Sequence, residues 1–152
     1  ISWFGPISNV AHSLIDAANK NLGFNLNIYC PKYYQDVYFQ KLKDMNKEIS
    51  LDKINIRELN LNQMDPTDVI YTDTWFSMGD IEDSTKIEML SKYTVNQDLM
   101  SKVNSDCIFL HCLPANRSQE VSGEVIDGPQ SYVWQEAQNR LHVQKELLLK
   151  FL

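Results

Sequence analysis

Apolar residues fall in short clusters between polar breaks marked by glycine and proline, and strand-like and helix-like periods alternate along the chain. Ile1 to Phe4 form a brief β-rich run that Gly5-Pro6 turns. Val10, Leu14, Ala18 and Leu22 then recur at helical spacing, with Ser8 or Asn9 placed to cap the helix and Gly23 to close it. Phe24 to Tyr29 predict a second strand, followed by Pro31. Strand, helix and strand within about thirty residues make a βαβ unit, a connection that is right-handed in nearly every case.

The alternation continues. Tyr33 to Lys47 predict a polar helix with Val37, Leu42 and Met45 buried, and Glu48 to Asp52 a short third strand. Lys53 to Gln63 carry Ile54, Ile56, Leu59 and Leu61 and fit either a strand or a short helix. Beyond Asp65-Pro66, Asp68 to Thr72 read as a strand. Glu82 to Lys92 read as a helix with Ile87 and Leu90 inward and Glu82-Lys86 and Glu88-Lys92 pairs outside. Asn96 is placed to cap a further turn or two carrying Leu99, Met100 and Val103. The run Cys107 to Leu110 predicts a strand buried on both faces and stopped by Pro114, which cannot donate to a ladder. Ser118 to Val125 predict a short helix, and Asp127-Gly128-Pro129 a turn. The last helix runs from Gln135, with Ala137, Leu141, Leu148 and Leu152 on one side. Together these elements predict an α/β fold: a doubly wound, mostly parallel sheet of about five strands, with helices on both faces. The architecture is Rossmann-like, but Gly-x-Gly-x-x-Gly is absent, so no dinucleotide and no other cofactor is expected.

Composition narrows the partners. The 152 residues suit one domain, and 43% hydrophobic with 22% charged residues is a globular balance. A net charge of −6 argues against nucleic acid and anionic membrane surfaces, leaving small anionic or zwitterionic ligands. Cys30, Cys107 and Cys112 show neither C-x-x-C spacing nor an even count, so no disulfide framework or metal site is suggested and a reducing compartment fits. No apolar stretch reaches the roughly 20 residues of a membrane span. The chain opens on Ile1-Ser2-Trp3-Phe4 without Met, and is expected to be a fragment, a processed product or an excised domain.

Chemistry concentrates at two strand ends. His111 and Cys112 close one, and Asp73-Thr74-Trp75-Phe76-Ser77-Met78-Gly79-Asp80 follows the other; in an open parallel sheet such ends share one ligand crevice. Taken singly, each residue also has a structural reading: Cys112 as a small buried hydrophobe, Asp73 and Asn9 as caps, Met78 as core filler, Arg140 as a solvated arginine.

D-x-x-x-S-M-G, then H-C-L-P, with Asn9 near the start and Asn139-Arg140-Leu141-His142 near the end, resembles the second half of ornithine carbamoyltransferase over the whole chain and in the same order. The resemblance implies transfer of a carbamoyl group from carbamoyl phosphate to the δ-amine of L-ornithine, giving citrulline and phosphate. It assigns Asp73 and Ser77 to the ornithine α-amino group, and Asn9 and the Met78 backbone N–H to the α-carboxylate. Cys112 stands beside the reacting amine as a polarisable neighbour, the Leu113 carbonyl accepts from the carbamoyl NH₂, and Arg140 meets carbamoyl phosphate. His111 supports the motif, Arg117 has a weaker claim, and His12 and His142 read as packing or surface residues. Where the family has Gly-Asp-Gly-Asn-Asn, this chain has Gly5-Pro6-Ile7-Ser8-Asn9. The family's Ser-Thr-Arg-Thr and His-Pro-x-Gln segments do not occur. Residues 1–152 are therefore expected to be a single ornithine-binding domain without the carbamoyl phosphate domain, inactive alone. The full-length protein is expected to be a homotrimer in the cytoplasm or mitochondrial matrix. The alternatives are a transcarbamoylase for another amine and a non-catalytic amino-acid-binding module of the same fold.

Overall fold

The computed structural model describes residues 1–76 and 79–152. Five short strands, β1 (Ser2–Phe4), β2 (Leu26–Tyr29), β3 (Ile54–Arg57), β4 (Val69–Thr72) and β5 (Ile108–His111), lie in the order β3-β2-β1-β4-β5. Every pairing is parallel, as the alternating periods predict.

Successive side chains on a strand serve opposite faces, and the two faces carry separate cores. Trp3, Ile28 and Tyr71 pack with Ala11, Ile15 and Ala18 of α1 (Asn9–Asn19) and Tyr38 and Leu42 of α2 (Lys32–Asp44). Phe4, Tyr29, Ile70 and Phe109 face the other way. They are covered by Leu90 of α3 (Ser84–Leu90), Leu99 and Met100 of α4 (Gln97–Met100), Val125 and Ile126 of α5 (Gly123–Ile126) and Val133 at the start of α6 (Val133–Phe151). Phe4 and Phe109 are fully enclosed; burying such a side chain contributes about 1.5–3 kcal/mol. The chain leaves β1 toward one face and β4 toward the other, so a crevice opens between the carboxyl ends of β1 and β4.

Several elements depart from the sequence expectation for identifiable reasons. The enclosed stripe of α1 is Ala11, Ile15 and Ala18, with Val10 and Leu14 half-buried against the same core, so the expected face holds except for Leu22, which lies beyond the helix, exposed. Asn21 (φ 56°), not Gly23, takes the left-handed position that ends α1. Its N–H donates to the Ala18 carbonyl at 2.9 Å and that of Leu22 to the Ala17 carbonyl at 3.3 Å, a Schellman closure. Asn46 (φ 51°) ends α2 in the same way, its N–H on Lys43 O and that of Lys47 on Leu42 O. α2 buries Gln35, Tyr38 and Leu42, leaving Val37 and Met45 exposed. The third strand is Ile54–Arg57 and not 48–52, and a 3₁₀ turn at Leu61–Gln63 follows, so segment 53–63 holds both alternatives.

On the other face, the Asp83 carboxylate caps α3 by accepting from Thr85 N–H at 2.9 Å, which starts the helix at Ser84 rather than Glu82. Glu82 instead accepts from Gln119, Lys86 lies over the Phe76 ring, and Lys92 pairs with Glu58 at 3.4 Å rather than with Glu88. Asn96 caps α4 as expected, accepting from Leu99 N–H. The helix expected over 118–125 is only α5. β5 is an edge strand, so Phe109 and His111 are enclosed while Ile108 and Leu110 are half-buried, and burial on both faces does not hold. α6 starts at Val133, and its Leu141, Leu148, Phe151 and Leu152 are exposed. Among the described residues, no helix is long and apolar enough to cross a membrane.

Candidate functional site

Strand register builds the centre of the site. Phe4 is paired with Thr72, and Thr72 with His111, so the three strand ends form one rung. The residues one step further along β4 and β5 are Asp73 and Cys112, and the Cys112 Sγ–H donates to Asp73 Oδ1 at 3.0 Å. Asp73 is 7% exposed and, among the described residues, its carboxylate is held from three directions. Thr74 N–H donates to Oδ1 at 2.8 Å, and Ser8 Oγ–H, from the turn after β1, donates to Oδ2 at 3.1 Å. Burial pushes the Cys112 thiol up to about 12, and the hydrogen bond and charge of Asp73 add to the effect. At neutral pH Cys112 is therefore a thiol donor and not a thiolate.

His111 is fully enclosed, which rules out a surface role. Its Nδ1 accepts the Leu113 N–H at 2.9 Å, so its proton sits on Nε2 and is donated to Glu120 Oε1 at 3.2 Å. The same Glu120 oxygen accepts the Asn116 N–H. Glu120 thus stands behind the loop after β5 and ties its two ends together. Within that loop Leu113 has φ 53° and the Leu113-Pro114 peptide is cis. Both imidazole nitrogens are engaged, which leaves His111 as a support for the loop and not as a base. One atom each of Asp73, His111 and Cys112 lies within 4.8 Å of the others. With the imidazole committed, the trio does not offer three free ligands to a metal.

The remaining contacts join the walls of the crevice. Asn116 Nδ2 donates to Thr74 Oγ1 at 3.0 Å, and Thr74 Oγ1 donates to the Phe76 carbonyl at 3.0 Å, latching the loop after β5 to the one after β4. Glu136 of α6 accepts from Tyr71 Oη–H and, through its other oxygen, from the His111 backbone N–H at 3.0 Å. Burial, and then Glu136, raise the ionisation of the Tyr71 phenol far above the ordinary range. Gly5 (φ 117°) lets the turn after β1 pass Trp75: a Cβ there would lie 3.4 Å from the indole nitrogen.

Of the residues singled out from sequence, the fold brings Asp73, Cys112 and Leu113 together. Asn9 is exposed at the first position of α1, next to Ser8. Ser77 and Met78 lie outside the described residues. Arg140 is two turns into α6; it is exposed, one turn beyond Glu136, and makes no ion pair among the described residues. Arg117 is committed to Asp127 at 2.8 Å. Ser8, Glu120 and Glu136 were not singled out as site residues. A buried histidine on a strand demands a partner, and that was the available signal for Glu120; Ser8 and Glu136 carry no local signal.

The family description "Aspartate/ornithine carbamoyltransferase, Asp/Orn binding domain" matches residues 1–151. The chain is 43% identical to the ornithine carbamoyltransferase of Methanobrevibacter smithii, over 100% of this chain and 51% of that protein. It is 42% identical to that of Ruthia magnifica, over 100% of this chain and 49% of the relative. Among solved structures, ornithine carbamoyltransferase from Pyrococcus furiosus superposes with a TM-score of 0.78 at 36% identity, covering 97% of this chain and 47% of that one. The Burkholderia thailandensis enzyme gives 0.77 at 34% identity, covering 97% and 45%. The chain spans about half the length of the curated relatives it matches.

Proposed function

This chain belongs to the aspartate/ornithine carbamoyltransferase family, in its Asp/Orn-binding domain, and we propose that it is the L-ornithine-binding part of an enzyme that carbamoylates the ornithine δ-amine from carbamoyl phosphate. The observation that carries this reading is the buried Asp73 carboxylate, oriented by Ser8, Thr74 and Cys112 at the crevice between β1 and β4. The donors that hold this carboxylate are all neutral, so a cationic partner, here the α-amino group, would be its first countercharge, with Ser77 as a further proposed contact to that group. Asn9 and the Met78 N–H would hold the α-carboxylate near the first turn of α1, where unpaired N–H groups favour an anion.

The δ-amine must reach the carbamoyl carbon uncharged. Cys112 retains its proton and so serves as a neutral, polarisable wall for that amine and not as a covalent nucleophile. The His111–Glu120 pair fixes Leu113, whose carbonyl would accept from the carbamoyl NH₂. Arg140 would add a cationic fork for carbamoyl phosphate. The rest of that substrate's site belongs to a carbamoyl phosphate domain outside residues 1–152, so the isolated chain is inactive under this reading. The full-length polypeptide is a homotrimer of the cytoplasm or mitochondrial matrix, a reading that rests on the resemblance and is checked by mass photometry and cell fractionation.

The deciding experiment supplies the full-length polypeptide with carbamoyl phosphate and, in turn, L-ornithine, putrescine and L-aspartate, and follows phosphate release and the carbamoylated product. Citrulline from ornithine alone is the expected result. Turnover of putrescine or aspartate in preference to ornithine would refute the substrate assignment.

A further inference from the structure

Ser8 sits at the N-cap of α1 with extended backbone angles (φ −80°, ψ 179°), where a serine hydroxyl ordinarily accepts from the first free N–H groups of the helix. Here it makes no cap bond. Its Oγ–H crosses to the end of β4 and donates to Asp73 Oδ2 at 3.1 Å. The turn that presents it is itself held: the Pro6 carbonyl accepts both the Ser8 N–H at 2.9 Å and the Trp3 indole N–H at 3.0 Å. A residue that forgoes its favourable local bond for one across the crevice marks a constraint that helix formation does not explain.

Asp73 shows what that constraint is. Oδ1 already receives two donors from its own side of the crevice, Thr74 N–H and Cys112 Sγ–H. Among the described residues, Ser8 is the donor to Oδ2. The hydroxyl therefore fixes the rotation of the carboxylate plane, and a carboxylate oxygen, which can accept more than one donor, is thereby aimed at the crevice.

We propose that Ser8 is a positioning residue for amino-acid recognition, acting through Asp73 and setting the direction in which Oδ2 meets a substrate ammonium group. The proposal rests on the reading that this crevice takes an amino acid, and deepens it. Asp73 would hold the ammonium equally in the ground and transition states, so loss of the Ser8 bond acts on KM and leaves kcat.

The test uses the full-length polypeptide with Ser8→Ala, Ser8→Gly and Ser8→Thr. Glycine is tolerated at an N-cap and lacks the hydroxyl; threonine restores it. Two quantities are read: KM and kcat for ornithine at saturating carbamoyl phosphate, and the Asp73 ¹³Cγ resonance in aspartate-labelled protein, assigned by its loss in Asp73→Asn. Ser8→Ala and Ser8→Gly should raise KM about tenfold, as expected for one hydrogen bond to a charged group, with kcat within about twofold. The Asp73 resonance should shift in both, and Ser8→Thr should return KM and resonance toward wild type. A wild-type KM with an unmoved resonance in either hydroxyl-free variant overturns the proposal, as does a fall in melting temperature alone, which would make Ser8 a simple cap. If the wild type shows no saturation with ornithine, the substrate reading fails separately, and the resonance still decides whether Ser8 orients Asp73.

Discussion

Raising the pH should leave Cys112 unreactive well after an ordinary thiol has ionised. Alkylation requires the thiolate, and a thiol pushed from 9.0 to about 12 is ionised to about one part in 10⁴ at pH 8, against about one in ten for an unperturbed one. Taken whole, that is a rate reduction of about a thousandfold; Cys112 is half-buried, so solvent screening trims the effect, and tenfold to a hundredfold is the expected range. Cys30 and Cys107 are enclosed, so iodoacetamide labelling of the folded chain, quantified peptide by peptide between pH 7 and 10.5, reads Cys112 directly. Asp73→Asn removes the charge facing the thiol, keeps an amide oxygen that can still accept from it, and leaves the burial that is the larger cause. Labelling at pH 8 should then accelerate by about tenfold, a partial return toward ordinary reactivity. A wild-type labelling profile that turns up near pH 9 would refute the argument that burial and Asp73 together keep Cys112 protonated, and an Asp73→Asn variant with unchanged rate would refute the share assigned to Asp73.

The other expectations concern stability. The Cys30 and Cys107 thiols are pushed up to about 12 and about 11, chiefly by burial. Above pH 9 the unfolded chain releases protons that the folded chain retains, so urea midpoints should hold below pH 9 and fall between pH 9 and 11, by at most about 1.4 kcal/mol per pH unit per thiol, with a shallower fall in Cys30→Ala. Asn21→Gly and Asn46→Gly place glycine at the two left-handed helix ends and should each raise stability by about 0.5–1 kcal/mol in thermal melts, whereas Asn21→Ala should lower it. His111→Ala removes the imidazole N–H that donates to the enclosed Glu120 side chain and should cost at least about 1.5–3 kcal/mol in urea unfolding, the loss of one buried hydrogen bond to a carboxylate. Gly128→Ala would place a Cβ 2.5 Å from the Glu124 carbonyl oxygen, and a loss of at least about 1 kcal/mol in thermal melts is expected because backbone must move.

Much of this was readable in the chain because the strands are short, β-rich and bounded by residues that cannot continue them. Gly5-Pro6 ends β1, and His111-Cys112-Leu113-Pro114 ends β5. Side-chain size misleads at the end of α1, where bulky Leu22 looks like core but lies past the helix, while the small Ala11 and the branched Ile15 complete the enclosed stripe beside Ala18. The third strand falls at Ile54–Arg57, where residues 54–57 pair with β2, whereas at 48–52 the Ser50 N–H goes to the Asn19 side chain and not to a ladder. At the site, Asp73 and Cys112 announce themselves by position, whereas Ser8, Glu120 and Glu136 act across separations of 65, 9 and 25 residues. No local pattern encodes such contacts; they exist only once the parallel register is set.

That register separates two kinds of evolutionary freedom. The spacing between Asp73 and Cys112 is inherited from neighbouring strands about 4.8 Å apart, so any sequence that keeps β4 and β5 paired keeps the acid beside the thiol. Ser8, Asn9 and Thr74 lie just beyond the strand ends and outside the enclosed core, so exchanging them leaves the frame in place. A lineage, or an engineer, could change which amine is accepted by rewriting these positions while the pair at their base stays untouched. A single-residue insertion inside β4 or β5 would have the opposite effect: the sheet could still form, but with Asp73 and Cys112 turned to opposite faces.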